Sequence, residues 1–290
     1  MSLKREMATV RAGEAEICVE SIGDGADPAI LLIGGAASSM DWWEEELCER
    51  LGDGGRRVVR YDNRDTGQST TWPAGSPGYS EADLVADAIA ILDALSIRAA
   101  HVVGLSMGGG IGQLLALKCR DRVATLTLMS TTPIVYEGAE LPGMTSELQA
   151  GLTEERPEPN WDDRASVVDY MVEGERRFAG PGSFDEGRMR ALAGRVYDRS
   201  RDLDASMTNH FLLGDDDPGR HRLGELAGLP TLVIHGSADA MFPPAHGRAL
   251  ADQIPGARLI ELEDVGHQYP PARSWDLVIE SLLVHTAQEP

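Results

Sequence analysis

Short apolar runs alternate with helical stretches along this chain, and few folds accommodate that alternation. Residues 28–35 (PAILLIGG), 56–63 (RRVVRYDN), the AHVVGL run ending at Leu105 and 123–132 (VATLTLMSTT) read as strands. Their largely apolar character suits strands covered on both faces, whereas 14–21 (EAEICVES) alternates as a half-covered strand does. Between the runs, MDWWEEELCERLGDGG carries apolar residues at helical spacing and stops at a glycine pair. YSEADLVADAIAILDALSI opens at Ser80 ahead of acidic residues, an N-cap pattern, and stays helical to about Leu95. IGQLLALKCRD forms a further helix. Such alternation predicts a mostly parallel sheet with helices on both faces and right-handed crossovers.

The texture changes between Pro133 and Leu229. This stretch is studded with proline, glycine and acids, lacks a buried-strand run, and shows only short helical patterns such as RASVVDYMVEGERRF. It reads as a helical cap, residues 134–228, inserted into a core domain made of 1–133 and 229–290. After it the alternation resumes, with strands at 229–239 (LPTLVIHGSAD) and ARLIELED and helices at PPAHGRALADQI and SWDLVIESLLVHTA. Trp161, Tyr170, Met171 and Phe178 are expected to split between a pocket and the cap's own small core.

Charge and cysteine content narrow the classes of partner. With 47 acidic and 26 basic side chains the formal charge is -21, which repels phosphate backbones and anionic lipid alike, so neither nucleic acid nor a membrane is expected as a partner. Cys18, Cys48 and Cys119 are scattered, without a disulfide framework or metal-ligand spacing, and fit reduced thiols. The first residues carry no apolar signal core, and no window approaches the roughly 18 apolar residues of a membrane span. A cytoplasmic monomer or homodimer without metal or cofactor is expected.

Chemistry concentrates at Gly104-Leu105-Ser106-Met107-Gly108, a G-x-S-x-G pattern where a strand ends and a helix begins. The glycines permit a strained turn that exposes the serine hydroxyl at a helix N-terminus, where developing negative charge is favoured. A serine needs a base, and the base an orienting acid. In sheet enzymes with this turn the chain order is serine, acid, histidine, each past the end of its own strand. Asp239 follows TLVIHG after two small residues, and His267 follows ARLIELED within DVGHQYPP. Asp264 lies nearer the histidine in sequence, but Asp239 is preferred for its place past the end of the first strand after the insert, and MSTTP after the 123–132 strand offers no carboxylate. His101, His246 and His285 read as core or surface residues, His235 as a structural hydrogen-bonding residue, and His210 and His221 lack metal-like spacing. For the oxyanion of acyl transfer the expected donors are the amides of Met107 and Gly35, with Ala36 as the alternative. Ala36, Trp42, Met171 and Phe178 are expected to contact substrate; Trp43 is equally placed beside the oxyanion loop.

In this order LLIGG, RYDNRDTGQST, VVGLSMGG, LVIHGSAD and DVGH resemble the α/β-hydrolase family over nearly the whole chain. The resemblance implies a mostly parallel eight-stranded sheet with an inserted helical cap, and ester hydrolysis by a Ser-His-Asp triad through an acyl-enzyme. RYDNRDTGQS is similar to the family's Asp-x-Arg-Gly-x-Gly-x-Ser signature, with Asp65 and Thr66 around the usual glycine; a tight turn with Asp62 and Arg64 pairing locally is expected. Ile33-Gly34 stands where the family has His-Gly, a histidine that supplies a supporting hydrogen bond. Within the family the chain resembles bacterial methylesterases of anthracycline tailoring, the aclacinomycin type, which implies a methyl ester of a bulky aromatic polyketide as the small-molecule substrate. A serine in place of aspartate disfavours haloalkane dehalogenase and epoxide hydrolase chemistry. Cofactor-free haloperoxidases, lactonases and C–C bond hydrolases share the triad and stay open, as does a ligand-binding member without turnover.

Overall fold

The computed structural model describes residues 3–154, 156–214 and 221–287. The outermost residues of the expected core ranges, and positions 155 and 215–220 of the expected cap, lie outside them. Among the described residues eight strands form one sheet: β1 Arg5–Ala12, β2 Ala15–Ile22, β3 Ala29–Ile33, β4 Arg57–Tyr61, β5 Ala100–Leu105, β6 Val123–Met129, β7 Thr231–Gly236 and β8 Arg258–Leu262. Their order is β1-β2-β4-β3-β5-β6-β7-β8. β2 runs antiparallel to β1 and β4, and the remaining neighbours pair in parallel. The sequence pattern had not marked β1, because it is an edge strand with mostly exposed residues and therefore no apolar run.

All five residues of β3 are buried, and the two-residue period of the strand sends them to opposite faces. Leu31 and Ile33 pack with Val59, Val102 and the helices α2 (Glu81–Ala94) and α3 (Met107–Lys118). Ile30 and Leu32 pack with Val58, α1 (Glu45–Asp53) and α9 (Trp275–His285) on the other face. Each such fully buried side chain stabilises by roughly 1.5–3 kcal/mol, so this short strand organises both halves of the core. Ser80 caps α2 through a reciprocal box with Asp83. The stretch expected as one helix from Met40 divides into a 3₁₀ turn, Met40–Trp42, and α1.

Between β6 and β7 lie α4 (Ser146–Thr153), α5 (Arg164–Arg176), α6 (Glu186–Arg199) and α7 (Leu203–Thr208), and α8 (Ala245–Gln253) follows β7. Val168, Met171, Leu192 and Val196 of α5 and α6 make a separate apolar cluster that Trp42 joins from the core side. Leu223 and Leu226, by contrast, belong to the main core cluster. No described helix is long and apolar enough to cross a membrane.

Buried polar bonds fasten the 199–210 segment to the sheet. Arg199 pairs with both carboxylate oxygens of Asp62 and, at 2.8 Å, with Asp41. Asn209 donates to Asp65 at 2.9 Å. The expected local pairing of Asp62 with Arg64 is not present: Arg64 instead makes a bidentate pair with Asp87 of α2 at 2.7 and 2.8 Å. The turn directs the two side chains apart: each Asp62 oxygen accepts from a backbone amide, Met40 N to Oδ1 and Gln68 N to Oδ2, and its remaining lone pair accepts from Arg199.

Candidate active site

Parallel pairing of β3 with β5 sets Ile33 opposite Gly104, so the loop after β3 lies beside the turn after β5. In that turn Ser106 adopts φ 52°, ψ -117°, left-handed backbone that costs of order 1–3 kcal/mol for a residue with a side chain. Its amide donates to Met129 O at 2.9 Å and its carbonyl accepts from Thr131 Oγ1 at 2.8 Å, which holds the strained residue from β6. A Cβ at Gly104 would stand 2.1 Å from Gly108 O, and one at Gly108 2.3 Å from Ile33 O. The turn closes only with glycine at both positions.

Three side chains from separate loops meet here. His267 Nε2 lies 3.0 Å from Ser106 Oγ, and His267 Nδ1 lies 3.0 Å from Asp239 Oδ2. A carboxylate can only accept, so the proton sits on Nδ1 and Nε2 is free to accept from the serine hydroxyl. Asp239 is buried, and its other oxygen accepts from the amides of Met241 (3.0 Å) and Phe242 (2.8 Å). Phe178 and Phe242 flank the imidazole, with ring centroids 6.2 and 5.3 Å away. Asp264, the rival acid, makes no bond to His267; its amide instead donates to Ser237 Oγ. His235 donates to or accepts nothing from the serine and bonds Phe242 O at 2.8 Å.

The loop of residues 34–38 is gripped on several sides. Its Gly35 amide, expected as an oxyanion donor, points at Tyr269 Oη, 3.0 Å away. Burial pushes the Tyr269 phenol up to about 12, so it stays protonated and bonds Ser38 as well. Ala36, the alternative donor, has an amide with no hydrogen-bond partner among the described residues. Ala37 is left-handed (φ 58°), and its amide donates to His210 Nδ1 at 2.9 Å. His210 Nε2 lies 2.8 Å from Arg64 O, which fixes the proton on Nε2. Burial lowers the His210 pKa to about 4, so the ring is neutral at ordinary pH. Ser206 Oγ donates to Ala37 O at 3.4 Å. Tyr269 thus holds the loop that lacks the family's histidine, and His210 ties it to the segment after α7. Neither residue was singled out from sequence for this: a tyrosine two places past a histidine and a lone histidine carry no pattern that names their partners. Met107, the other expected donor, is the first residue of α3, whose amide the helix itself leaves unused.

Ser106 and His267 open into a cavity of about 580 Å³. Ala36, Trp42, Met171 and Phe178 line it, as do Gly35 and Tyr170. Trp43 does not; it is buried edge-on to Tyr269 with centroids 4.9 Å apart. Trp161 packs on the separate apolar cluster of α5 and α6 instead. A neighbouring cavity of about 270 Å³ shares Trp42, Glu175, Gln268 and Tyr269 with the first.

Comparison with known proteins gives a consistent picture. A profile for the alpha/beta hydrolase fold matches residues 28–268. Rhodomycin D methylesterase DauP of Streptomyces sp. (strain C5) is 36% identical, the match covering 89% of this chain and 91% of that protein. Rhodomycin D methylesterase DnrP of Streptomyces peucetius is also 36% identical over 89% of this chain and 91% of its own. Among solved structures, a 2-hydroxy-6-oxo-6-phenylhexa-2,4-dienoate hydrolase from Rhodococcus sp. strain RHA1 superposes with a TM-score of 0.74 at 20% identity, covering 99% of this chain and 100% of that one.

Proposed function

The chain belongs to the α/β-hydrolase family, and we propose that it is a serine esterase whose nucleophile, base and acid are Ser106, His267 and Asp239. The observation that carries this reading is the unbroken hydrogen-bonded line from Asp239 Oδ2 through the imidazole to Ser106 Oγ, both links 3.0 Å, at the mouth of a sizeable cavity. Ser106 Oγ attacks the ester carbonyl carbon as His267 Nε2 takes its proton. The carbonyl electron pair moves onto oxygen, held by the amides of Met107 and Ala36; the Gly35 amide stays on Tyr269, keeping the loop in place. The pair returns, the carbon–oxygen bond to the alcohol breaks, and Nε2–H protonates the leaving oxygen. Water, deprotonated by the same nitrogen, then attacks the acyl-enzyme; collapse expels Ser106 Oγ, which regains its proton, and frees the acid. Asp239 stabilises the transient imidazolium throughout.

The substrate class we infer is a methyl ester of a bulky aromatic acid, a reading supported by the two rhodomycin D methylesterases and by the aromatic side chains lining the cavity. Residues 134–228 serve in this reading as the cap that shapes the acyl side. A cytoplasmic monomer or homodimer fits the free thiols Cys18, Cys48 and Cys119, and light scattering on a sizing column tests the oligomeric state. The decisive experiment is to incubate wild-type protein and Ser106→Ala with aromatic methyl esters, lactones and vinylogous diketones, following initial rates and intact mass. Wild type should release methanol and carry a transient acyl adduct on Ser106, with a fluorophosphonate labelling the same residue. Full turnover by Ser106→Ala, or exclusive C–C bond cleavage by wild type, would overturn the reading.

A further inference from the structure

Glu175, in the last turn of α5, lines both the catalytic cavity and its smaller neighbour. Every other carboxylate in those two walls has a partner. Glu154 pairs with Arg177 at 3.5 Å, Glu44 with Arg188 at 2.7 Å, and Asp185 caps α6. The arginines in those walls are likewise committed: Arg188 to Glu44, Arg177 to Glu154, Arg273 to the carbonyls of Glu263 and Asp264, and Arg156 to Tyr170, whose ring it covers at 4.1 Å. The Glu175 carboxyl has neither a hydrogen bond nor an ion pair among the described residues. Burial alone pushes its pKa up to about 7. A carboxyl without partners is costly in such a wall, and once ionised its oxygens keep their full accepting capacity for whatever enters the cavity. The same cavity is lined by Trp42, Tyr170, Phe178 and Tyr269, aromatic side chains that suit a flat acyl group.

We propose that Glu175 determines specificity by accepting a hydrogen bond from a hydroxyl group on an aromatic acyl portion of the ester, away from the reacting carbonyl. The proposal rests on the esterase reading for its reaction but not for its binding, so the two can fail separately. Binding is measured on Ser106→Ala, by tryptophan fluorescence, with a matched pair of ligands: methyl naphthoate and its ring-hydroxylated forms. At about pH 8, above the raised pKa of about 7 where the Glu175 carboxyl is ionised, the hydroxylated ligand should bind roughly tenfold or more tightly, as a hydrogen bond to a charged acceptor implies. Adding Glu175→Leu should bring the two affinities to about parity, and adding Glu175→Gln, which keeps one acceptor oxygen, should leave an intermediate preference. In proteins with Ser106 intact, Glu175→Leu should raise KM for the hydroxylated ester relative to that for the parent ester. An amino-substituted ligand binding more tightly than the hydroxylated one would overturn the choice of hydroxyl. Equal hydroxyl preference in all three binding proteins, or none in Ser106→Ala alone, would overturn the role of Glu175. If fluorophosphonate fails to label Ser106 while the hydroxyl preference persists, the esterase reading falls and this one stands.

Discussion

Truncating His210 to alanine is expected to weaken both the fold and the reaction, because one buried ring supports two backbone groups. Only 5% of His210 is exposed, and it spans from the Ala37 amide (2.9 Å) to the Arg64 carbonyl (2.8 Å). His210→Ala orphans a donor and an acceptor, each costing about 1–3 kcal/mol if no water replaces the ring. A water that enters the polar gap recovers part of this, so a net loss of about 2–4 kcal/mol is expected. The catalytic effect follows from where the bond is made. Ala37 adjoins Ala36, whose amide is the proposed second oxyanion donor, and its left-handed backbone has no reason to persist once released. Complete loss of one oxyanion donor costs about 10²–10³ in kcat; a loosened loop should cost about tenfold to a hundredfold, with KM little changed. The ring also leaves a pH signature. Its folded pKa of about 4 lies below the unfolded value of about 6.5, so the unfolded chain binds the extra proton between these limits. Stability from this group is full above pH 6.5 and is lost as pH falls towards 4, by about 1.4 kcal/mol per pH unit. Urea unfolding followed by tryptophan fluorescence at pH 7, 6 and 5, with initial rates on an aromatic methyl ester, reads all three effects. The half-buried His221→Ala, whose ring bonds only Glu225 among the described residues, serves as control. Unchanged kcat with a stability loss below about 0.5 kcal/mol, or an acid slope identical to wild type, would refute the reasoning.

Gly104→Ala should abolish activity and soluble yield, whereas Gly110→Ala, whose added Cβ meets nothing nearer than 3.7 Å, should stabilise α3 by up to about 1 kcal/mol in a thermal melt. Arg199→Ala removes a charge from the fully buried Asp62 and should cost about 3 kcal/mol of unfolding free energy, measured by urea titration. Cys18 and Cys48, whose thiols burial pushes up to about 11 and about 12, should resist an aromatic disulfide reagent in native protein at pH 8 and react at once in denaturant. Ser106→Ala should lower turnover by about 10³-fold or more while the melting temperature stays near wild type, as circular dichroism can verify.

What could be read directly from the sequence was whatever local physics imposes. Continuous burial marks β3 and β5, and the steric demand of the serine turn marks Gly104 and Gly108. Strand ends past the insert mark Asp239 and His267, which the structure brings to Ser106. β1 escaped because an exposed edge carries no apolar run. The remainder is a matter of partnership across great chain separation. Gly35 meets Tyr269 234 residues away, Ala37 meets His210 at 173, and Asp62 meets Arg199 at 137 rather than its neighbour Arg64. Among the described residues, the same tertiary docking decided that the Ala36 amide, rather than that of Gly35, is uncommitted, and left the Glu175 carboxyl without a polar partner. Periodicity and turn sterics act over a few residues and are therefore written in order along the chain. Which buried donor finds which acceptor depends on how the 199–210 segment lies over the sheet, and only the packed structure settles that.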